Sequence, residues 1–496
     1  MYPFIVCVLI LLITLWIYHR FSHRRLFDLA TKVGSDKLQM ILGFGPISTA
    51  ETIISAGAKT AEKLGQTHLC YIGPFPQFVT GDPQLVKEIL TSPLCFYKGD
   101  ITYHGMHNAF GKGLLTMQGP EWLSHRKLMD VGFKYSKIVG NLPIFNKKTK
   151  GLFERMDKCH VMKNSYDILV YFREFTLKVT GETLLGRDFD KSNVDMNLYA
   201  KKVTRVLNYL SDITFKPYYR NSIILKLAQL TIFKEERQVL EFLGGLIDEA
   251  FKHYGTNSQS DPEYGNGDSV LAAKVQEYLQ NNIIERELAI SSMIHLFCAA
   301  FETTSMTFYF VILMLAMYPE YQEKAFAEVS EIFPDNDDGE FDVTNEDILR
   351  LRYLDMFIKE TLRLLPTIPQ FGRRVAGGNL QLSNDIVIPE DLEIIINIFN
   401  MNRNKDIWGP EADKFNPDKF LPCNTEKLHP YAFIPFSKGL RSCIGMRYSE
   451  LLLRMVVAKI IKRYKFSTAA KLEDLELQNH ISTQLIDYPS LTVERR

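Results

Sequence analysis

The sequence predicts a mainly α-helical (α+β) fold, with one large helical domain, a small β-rich portion and an N-terminal membrane anchor. Most of the chain shows the spacing of apolar residues that is typical of helices, and strand-like runs stand out at 68–79 and 380–397. We find no internal repeat. Hydrophobic residues make up 46% and charged residues 23% of the 496 residues, which excludes a disordered or collagen-like chain.

The charges and the cysteines exclude further classes of protein. The chain has 58 Lys and Arg against 58 Asp and Glu. A general nucleic-acid-binding protein would carry a net basic surface, so we expect no nucleic-acid partner. The seven cysteines include no C-x-x-C pair, which argues against a zinc ribbon and a disulfide scaffold. Because seven is odd, at least one thiol has no partner cysteine within the chain.

The first element is an apolar segment, residues 1–18, without a charged side chain. As a helix it would span about 27 Å, enough for a thin bilayer such as that of the endoplasmic reticulum. Arg20, Arg24 and Arg25 follow, and positive charge on that side places the following domain in the cytosol. A cleaved signal peptide, the alternative, would have a basic start, a shorter apolar core and a small-residue cleavage site. We therefore predict a single-pass endoplasmic-reticulum signal anchor (1–18), a basic linker or hinge (19–50) and a cytosolic domain (51–496).

Two segments of the domain can be assigned by pattern alone. Residues 68–72 and 77–79 have the composition of two strands joined by Gly73 and Pro74, and the helix-like PQLVKEIL follows them. Residues 221–233 are unusually apolar. They form either a buried helix or a surface segment that contacts the membrane or covers an apolar pocket, and the sequence leaves both open.

The strongest chemical signal is FSKGLRSCIG, residues 436–445. A thiolate that ligates iron must approach the metal closely and stay deprotonated. Gly439 and Gly445 would allow tight turns there, and backbone N–H groups of the loop could donate to the sulfur. Arg441 would supply a permanent positive charge for a haem propionate. A buried structural thiol is the alternative, which we accept for the other cysteines, but this context predicts that Cys443 ligates a metal.

The fixed positions of the pattern F-x-x-G-x-R-x-C-x-G are all matched, by Phe436, Gly439, Arg441, Cys443 and Gly445. With IWGPEADKFNPDKFLP and HPYAFIPFSKGLRSCIG, the chain resembles a microsomal cytochrome P-450, and most closely the insect members of the family-4 clan. The resemblance covers essentially the whole chain. It implies the P-450 fold, haem b with an axial thiolate from Cys443, dioxygen as co-substrate, and NADPH electrons delivered by a flavoprotein reductase, with cytochrome b5 as a further candidate donor.

Residues 299–304, AAFETT, resemble the oxygen-activation segment A-G-x-[DE]-T-[TS] of the family's central helix. Cleavage of the O–O bond of dioxygen needs protons, and the pair Glu302 and Thr303 would deliver them. The alternative is a solvated glutamate beside a capping-type threonine, but the preceding run is apolar and a carboxylate there is costly without a role. Ala300 replaces the family's glycine. Ala299 replaces the glutamate that many family-4 enzymes esterify to haem, so we expect no such covalent link.

Several residues resemble the family's propionate ligands. Trp122 and Arg126, four apart on a helix, present two donors on one face. A buried tryptophan beside a surface arginine is the alternative. Arg373 matches the second propionate-binding arginine, and its neighbour Arg374 competes for that role. Val131 stands where the family often has proline.

Glu360 and Arg363 form an E-x-x-R pair, whose spacing places both on one helical face. Alone the pattern is weak, because surface ion pairs often produce it. In the family it is a structural pair that locks the core near the haem loop. The family's third partner would match Lys419, and lysine lacks the forked donor geometry of arginine.

Two stretches carry a surplus of positive charge that the balanced total hides. Between residues 426 and 450 the net charge is +4, and over 122–137 it is +3. In the P-450 fold both flank the cysteine side of the haem, where a basic patch would attract an acidic electron donor. A scattered solvated surface is the alternative.

These features together predict a membrane-anchored monooxygenase that inserts one atom of dioxygen into a lipophilic substrate. Two alternatives stay open: a haem-thiolate isomerase or dehydratase of the same fold, and a non-catalytic haem- or lipid-binding protein. By resemblance, the pocket is lined by residues 101–113, 205–235, 297–301, 366–371 and 481–487.

Overall fold

The computed structural model describes residues 5–6, 14, 17, 20–158, 161–162, 165–192, 195–256, 263–265, 270–334 and 340–496. Apart from four positions, the anchor predicted over residues 1–18 lies outside the described residues.

The described chain is mostly helical, as predicted. Its α-helices are, in order, α1 (Arg24–Ala30), α2 (Lys37–Leu42), α3 (Ile53–Leu64), α4 (Pro83–Thr91), α5 (Asp100–Phe110), α6 (Gly119–Met129), α7 (Tyr135–Gly140), α8 (Leu142–Met156), α9 (Tyr166–Thr180), α10 (Met196–Phe215), α11 (Ser222–Leu230), α12 (Lys234–Gly255), α13 (Leu271–Gln280), α14 (Arg286–Met317), α15 (Pro319–Ile332), α16 (Asn345–Arg350), α17 (Arg352–Leu364), α18 (Ile398–Met401), α19 (Lys405–Trp408), α20 (Pro422–Thr425) and α21 (Met446–Arg463).

The strands of the described residues are β1 (Gly34–Ser35), β2 (Thr67–Ile72), β3 (Phe75–Thr80), β4 (Val161–Met162), β5 (Gln370–Arg374), β6 (Leu380–Gln381), β7 (Val387–Ile388), β8 (Glu393–Asn397), β9 (Tyr464–Ser467), β10 (Leu477–Asn479), β11 (Thr483–Leu485) and β12 (Leu491–Arg495). They form one five-stranded sheet, in the order β1-β2-β3-β8-β5, and three smaller sheets, β4-β12-β9, β6-β7 and β10-β11. In the large sheet β3 and β8 are parallel, whereas β5 and β8 are antiparallel with Arg373 opposite Ile394.

The predicted hairpin and the helix after it are confirmed. β2 and β3 pair antiparallel, and Gly73 in their turn has a φ of 56°, which glycine adopts without strain. Asp82 caps α4, since its carboxylate accepts from the backbone N–H groups of Gln84 and Leu85. Both elements follow from short-range signals that the sequence displays directly.

Helix α14 runs through the centre of the domain. Its N-terminal half packs in a cluster with α10, α12 and α13, and its C-terminal half packs in a second cluster with α8, α9 and α21. Among the described residues α14 is the one helix long and apolar enough to cross a membrane, yet 83% of its most apolar window is buried inside the protein. We therefore assign it as the core helix of this domain.

Part of the predicted linker over 19–50 is folded. Helices α1 and α2 and strand β1 lie within it, and β1 pairs with β2. Leu26, Leu29 and Met40 are buried in the cluster that covers the large sheet. Residues 24–42 thus belong to the folded domain, a long-range packing that the basic, proline-poor sequence does not indicate.

The apolar segment 221–233 contains helix α11, which lies at the surface. Leu225 and Ala228 face inward, whereas Ile223 is 68% exposed and Leu227 59% exposed. The interpretation of this segment as a buried helix is therefore wrong. An exposed apolar stripe of this kind marks an interaction surface.

The E-x-x-R pair is fully buried. Arg363 donates from Nε and Nη2 to the two carboxylate oxygens of Glu360, at 2.6 and 2.7 Å. Its guanidinium also donates to the backbone oxygens of Asn402, Ala412 and Lys414, which joins α17 to the segment that leads to the cysteine loop. This burial excludes the alternative interpretation of the E-x-x-R pattern as a surface ion pair. Lys419 does not reach Glu360; it donates to the same Lys414 oxygen.

Candidate active site

Cys443 lies in the loop directly before α21. Its backbone N–H donates to the Phe436 oxygen at 2.9 Å, which closes the loop, and the Gly445 N–H donates to its sulfur. The Cys443 residue is exposed. Desolvation by the surrounding protein raises the pKa of the Cys443 thiol, while the Gly445 N–H and the Arg126 charge oppose the rise. Both opposing contacts favour the thiolate that a metal ligand must be.

The two glycines of the loop differ in what they require. Gly439 has a φ of 77°, and a Cβ there would lie 2.5 Å from the backbone oxygen of Leu90. Gly445 has a φ of −88°, which any residue adopts, and a Cβ there would only touch the Cys443 sulfur at 4.0 Å. The conformational argument made from the sequence holds for Gly439 and is wrong for Gly445, which lies directly before α21 in an ordinary conformation.

Replacing Gly439 by alanine is expected to lower the free energy of unfolding by about 2 kcal/mol or more, because positive φ is strained for alanine and the Leu90 backbone must shift. Urea unfolding measures the effect. Gly445→Ala is the matched control and should change the free energy of unfolding by less than about 1 kcal/mol. Equal stability of Gly439→Ala and wild type would contradict the loop geometry.

Arg441 points inward from the loop. Its Nε donates to the Phe96 oxygen at 3.2 Å and its Nη2 to the Met117 oxygen at 2.9 Å. The guanidinium carbon lies 3.9 Å from the centroid of the Trp122 ring, a cation–π contact. Nη1 is buried and has no hydrogen-bond partner among the described residues. A half-buried guanidinium whose buried Nη1 has a donor to spare is suited to an anionic group.

Arg373 and Lys98 lie in the same buried cluster. Arg373 is hydrogen-bonded to Tyr103, over whose ring the Lys98 ammonium lies at 4.1 Å. Arg374 instead pairs with exposed Asp100 at 2.6 Å. Of the two neighbouring arginines, Arg373 is therefore the one inside the site.

The cluster holds more positive charge than its protein neighbours neutralise. Burial, and next the neighbouring Arg373, lower the pKa of Arg441 to about 9. Burial, followed by Arg373 and Arg441, lowers the pKa of Lys98 well below its usual range. Within the described ranges no carboxylate forms an ion pair with these three cations. Since the two propionates of haem carry two negative charges, the residues present fit that group.

The predicted tryptophan–arginine pair takes a different arrangement. The Trp122 indole N–H donates to the Leu114 oxygen at 2.8 Å, so in this structure it is used within the protein. Its ring supports Arg441 instead. Arg126 donates from Nη1 to the Ser442 oxygen at 2.9 Å and pairs with Asp130, which brings its charge beside the cysteine loop.

The acid–alcohol pair on α14 is divided between two sides of the helix. Ala299 is exposed, and Ala300 and Thr303 are half-buried on the same stripe. The Thr303 hydroxyl donates to the Ala299 oxygen at 2.8 Å. Glu302 is only 2% exposed and pairs with Arg173 at 3.0 Å. The solvated-glutamate interpretation is therefore wrong.

Two buried histidines join α6 and its preceding loop to α14. His125 Nε2 and the Ser292 hydroxyl lie 2.6 Å apart, and His295 Nδ1 accepts from the Leu115 N–H at 3.2 Å. Burial, and next the charge of Lys112, lowers the pKa of His125 to about 4. Burial lowers that of His295 to about 3.

Acid is therefore expected to destabilise the protein through these histidines. An unfolded imidazole titrates near 6.5, so below that pH the unfolded state binds protons that the folded state does not. The free energy of unfolding should fall as pH falls from 6.5 to 4, by about 3 kcal/mol for His125 alone. Urea unfolding of His125→Gln should show a shallower fall than that of the wild type. An identical pH dependence in the two proteins would contradict this account.

Sequence reasoning missed Lys98 and Arg173. Neither belongs to a motif, and each reaches the site through packing between distant elements. Tyr103, Ser482 and Gln484 lie in the segments 101–113 and 481–487 that the resemblance assigned to the pocket lining, but the contact of Tyr103 with Arg373 and those of Ser482 and Gln484 with Glu302 carry no local signal.

A donor-supported cysteine, a buried cationic cluster and an acid–alcohol pair on the central helix define a haem-thiolate protein. The family model described as Cytochrome P450 matches residues 39–486. Relatives from Drosophila melanogaster include "Probable cytochrome P450 313a4", 33% identical over 98% of both chains, and "Probable cytochrome P450 313a2", 35% identical over 97% of both. "Cytochrome P450 4c21" of Blattella germanica is 28% identical over 88% of this chain and 87% of its own. The chain belongs to the cytochrome P450 family, and the predicted resemblance to insect members is confirmed.

Proposed function

We propose that this protein is a membrane-anchored monooxygenase that oxidises a lipophilic substrate with NADPH electrons delivered by a flavoprotein reductase. Members of the family are haem-thiolate monooxygenases. The observation that carries the proposal is the exposed Cys443 thiol, whose sulfur accepts a hydrogen bond from the Gly445 N–H. A cluster of cations without carboxylate partners, Arg441, Arg373 and Lys98, accompanies it. Bound haem supplies the iron at which dioxygen is reduced and the substrate is oxidised.

The chain's own residues hold that group and manage protons. Cys443 ligates the iron as a thiolate, and the Gly445 N–H tunes its electron donation. Arg441, Arg373 and Lys98 hold the propionates. Thr303 and Glu302, adjacent on α14, hold and pass the protons that the reaction consumes. We propose haem b without an ester link, because Ala299 offers no carboxylate at the family-4 attachment position.

The surfaces support a membrane location and an acidic electron donor. The exposed apolar stripe of α11 suits contact with a bilayer, in addition to the anchor predicted over residues 1–18. We propose that a basic face is formed by the side chains that are exposed in the two basic stretches, 122–137 and 426–450: Lys127, Lys134, Lys427 and Arg447. Arg126 and Arg441, which the sequence also assigned to it, point inward. We propose this face as the docking site of the reductase and of cytochrome b5.

Reconstitution tests the proposal. The full chain is combined with reductase in vesicles and given NADPH and a panel of fatty acids, hydrocarbons, terpenoids and steroids. Oxygenated product that requires both NADPH and reductase is the expected result. Product formed from a lipid hydroperoxide without reductase would identify an isomerase or dehydratase. Absence of product from every compound of the panel would favour a binding protein.

Replacing Lys98 by methionine is expected to speed haem loss by about tenfold, because one of the three cations that hold the propionates is removed. Transfer of haem to apomyoglobin measures the rate. Lys87→Met, at an exposed position of α4, is the control and should retain the wild-type rate. Equal rates of haem loss for Lys98→Met and wild type would show that Lys98 does not help to hold the haem.

A further inference from the structure

The carboxylate of Glu302 is held asymmetrically. Its Oε1 accepts from three donors: Arg173 Nη2 at 3.0 Å, the Ser482 hydroxyl at 3.0 Å and Gln484 Nε2 at 3.1 Å. Its Oε2 is equally buried and has no partner within the described part of the chain. Hydrogen bonds therefore fix Oε1, whereas Oε2 has no hydrogen-bond partner among the described residues.

The three donors come from two distant parts of the chain. Arg173 lies on α9, is itself buried, and also donates to the Tyr166 hydroxyl at 3.1 Å. Burial lowers the pKa of the Arg173 guanidinium, but the Glu302 carboxylate raises it by more, so Arg173 stays charged. Ser482 and Gln484 belong to the C-terminal hairpin of β10 and β11, and both are buried. A buried ion pair is stable only when such added hydrogen bonds satisfy it.

The same hairpin also reaches the threonine of the pair. The Thr483 N–H donates to the Thr367 oxygen at 2.8 Å, and the hydroxyls of Thr367 and Thr307 lie 2.9 Å apart. The Thr307 hydroxyl donates to the Thr303 oxygen at 2.7 Å. The C-terminal hairpin thus contacts the acid directly and the helical turn of the alcohol through two threonines.

We propose that Ser482 and Gln484 are positioning residues for proton delivery: with Arg173 they bind Oε1 of Glu302 and leave Oε2 as the oxygen that takes up and passes on protons. This inference rests on the proposed function, in which Glu302 supplies protons to the reaction. A proton on Oε2 leaves all three bonds to Oε1 intact, so the carboxyl group can cycle between its two states without losing its place. When a hairpin donor is lost, the Glu302 carboxylate can rotate, and Oε2 then accepts hydrogen bonds from the remaining donors. Proton transfer through Oε2 is therefore slower.

Gln484→Leu and Ser482→Ala test the proposal, and Gln478→Leu is the matched control. Gln478 stands directly opposite Gln484 across the hairpin, and its amide donates to the Leu485 oxygen at 3.0 Å, away from Glu302. The full-length proteins are reconstituted with reductase and NADPH, without added substrate. Two quantities are measured: hydrogen peroxide released per NADPH oxidised, and the solvent deuterium isotope effect on NADPH oxidation.

The two test variants are expected to raise the peroxide fraction by about threefold or more and to increase the isotope effect, whereas Gln478→Leu keeps wild-type values. Wild-type values in both test variants would overturn the proposal. Ser482→Ala removes a single hydroxyl group, so it carries the test if Gln484→Leu does not fold. If the protein is not a reductase-dependent monooxygenase, the result differs from both of these, because the wild type itself would oxidise no NADPH with the reductase.

Discussion

Replacing Arg363 by alanine is expected to destabilise the folded protein severely and to lower its soluble yield. Glu360 would be left as a buried charge without its partner, a change that costs about 3–5 kcal/mol, and the backbone oxygens of Asn402 and Ala412 would lose the guanidinium donor. Because a folded domain is stable by only about 5–15 kcal/mol, this loss is a large share of the total. We expect little soluble protein and an unfolding midpoint in urea far below that of the wild type.

An exposed ion pair provides the control for Arg363→Ala. Lys414 pairs with Glu411 at 2.7 Å, and both side chains are largely exposed. Lys414→Ala should therefore cost less than about 1 kcal/mol. If Arg363→Ala and Lys414→Ala were equally stable, the pair of Glu360 and Arg363 would not have the structural role that its burial indicates.

Replacing Cys443 by serine is expected to reduce NADPH-dependent oxygenation by more than about 100-fold, since a serine oxygen cannot donate electron density to iron as a thiolate does. The substitution is nearly isosteric, so the free energy of unfolding of the haem-free protein should change little. Product formation and NADPH oxidation in the reconstituted system measure the loss.

A second cysteine separates ligation from a general effect of removing a thiol. Cys423 is exposed and not in a disulfide, and Cys423→Ser should retain wild-type turnover. Wild-type turnover by Cys443→Ser would show that the iron ligand lies elsewhere. Loss of turnover in both variants would show that the effect is not specific to the cysteine loop.

Features that depend on short stretches of chain were predicted well. The hairpin of β2 and β3, helix α4 and the turn at Gly439 follow from residues within a few positions of one another. The E-x-x-R spacing likewise brings Glu360 and Arg363 together within one helical turn. Local patterns suffice here because the interaction partners are neighbours in sequence.

Features that depend on packing between distant elements could not be predicted. Ser482 and Gln484 meet Glu302 across about 180 residues, and only the fold brings them together. Lys98 has no motif that marks its approach to the arginines.

The central claim is that Cys443 binds haem iron as a thiolate, and the absorption spectrum of the reduced, carbon-monoxide-bound protein tests it most directly. The wild type is predicted to show the strongly red-shifted Soret band of thiolate ligation, Cys423→Ser to keep it, and Cys443→Ser to lose it. A wild type without that band, or a Cys443→Ser variant that retains it unchanged, would contradict the account.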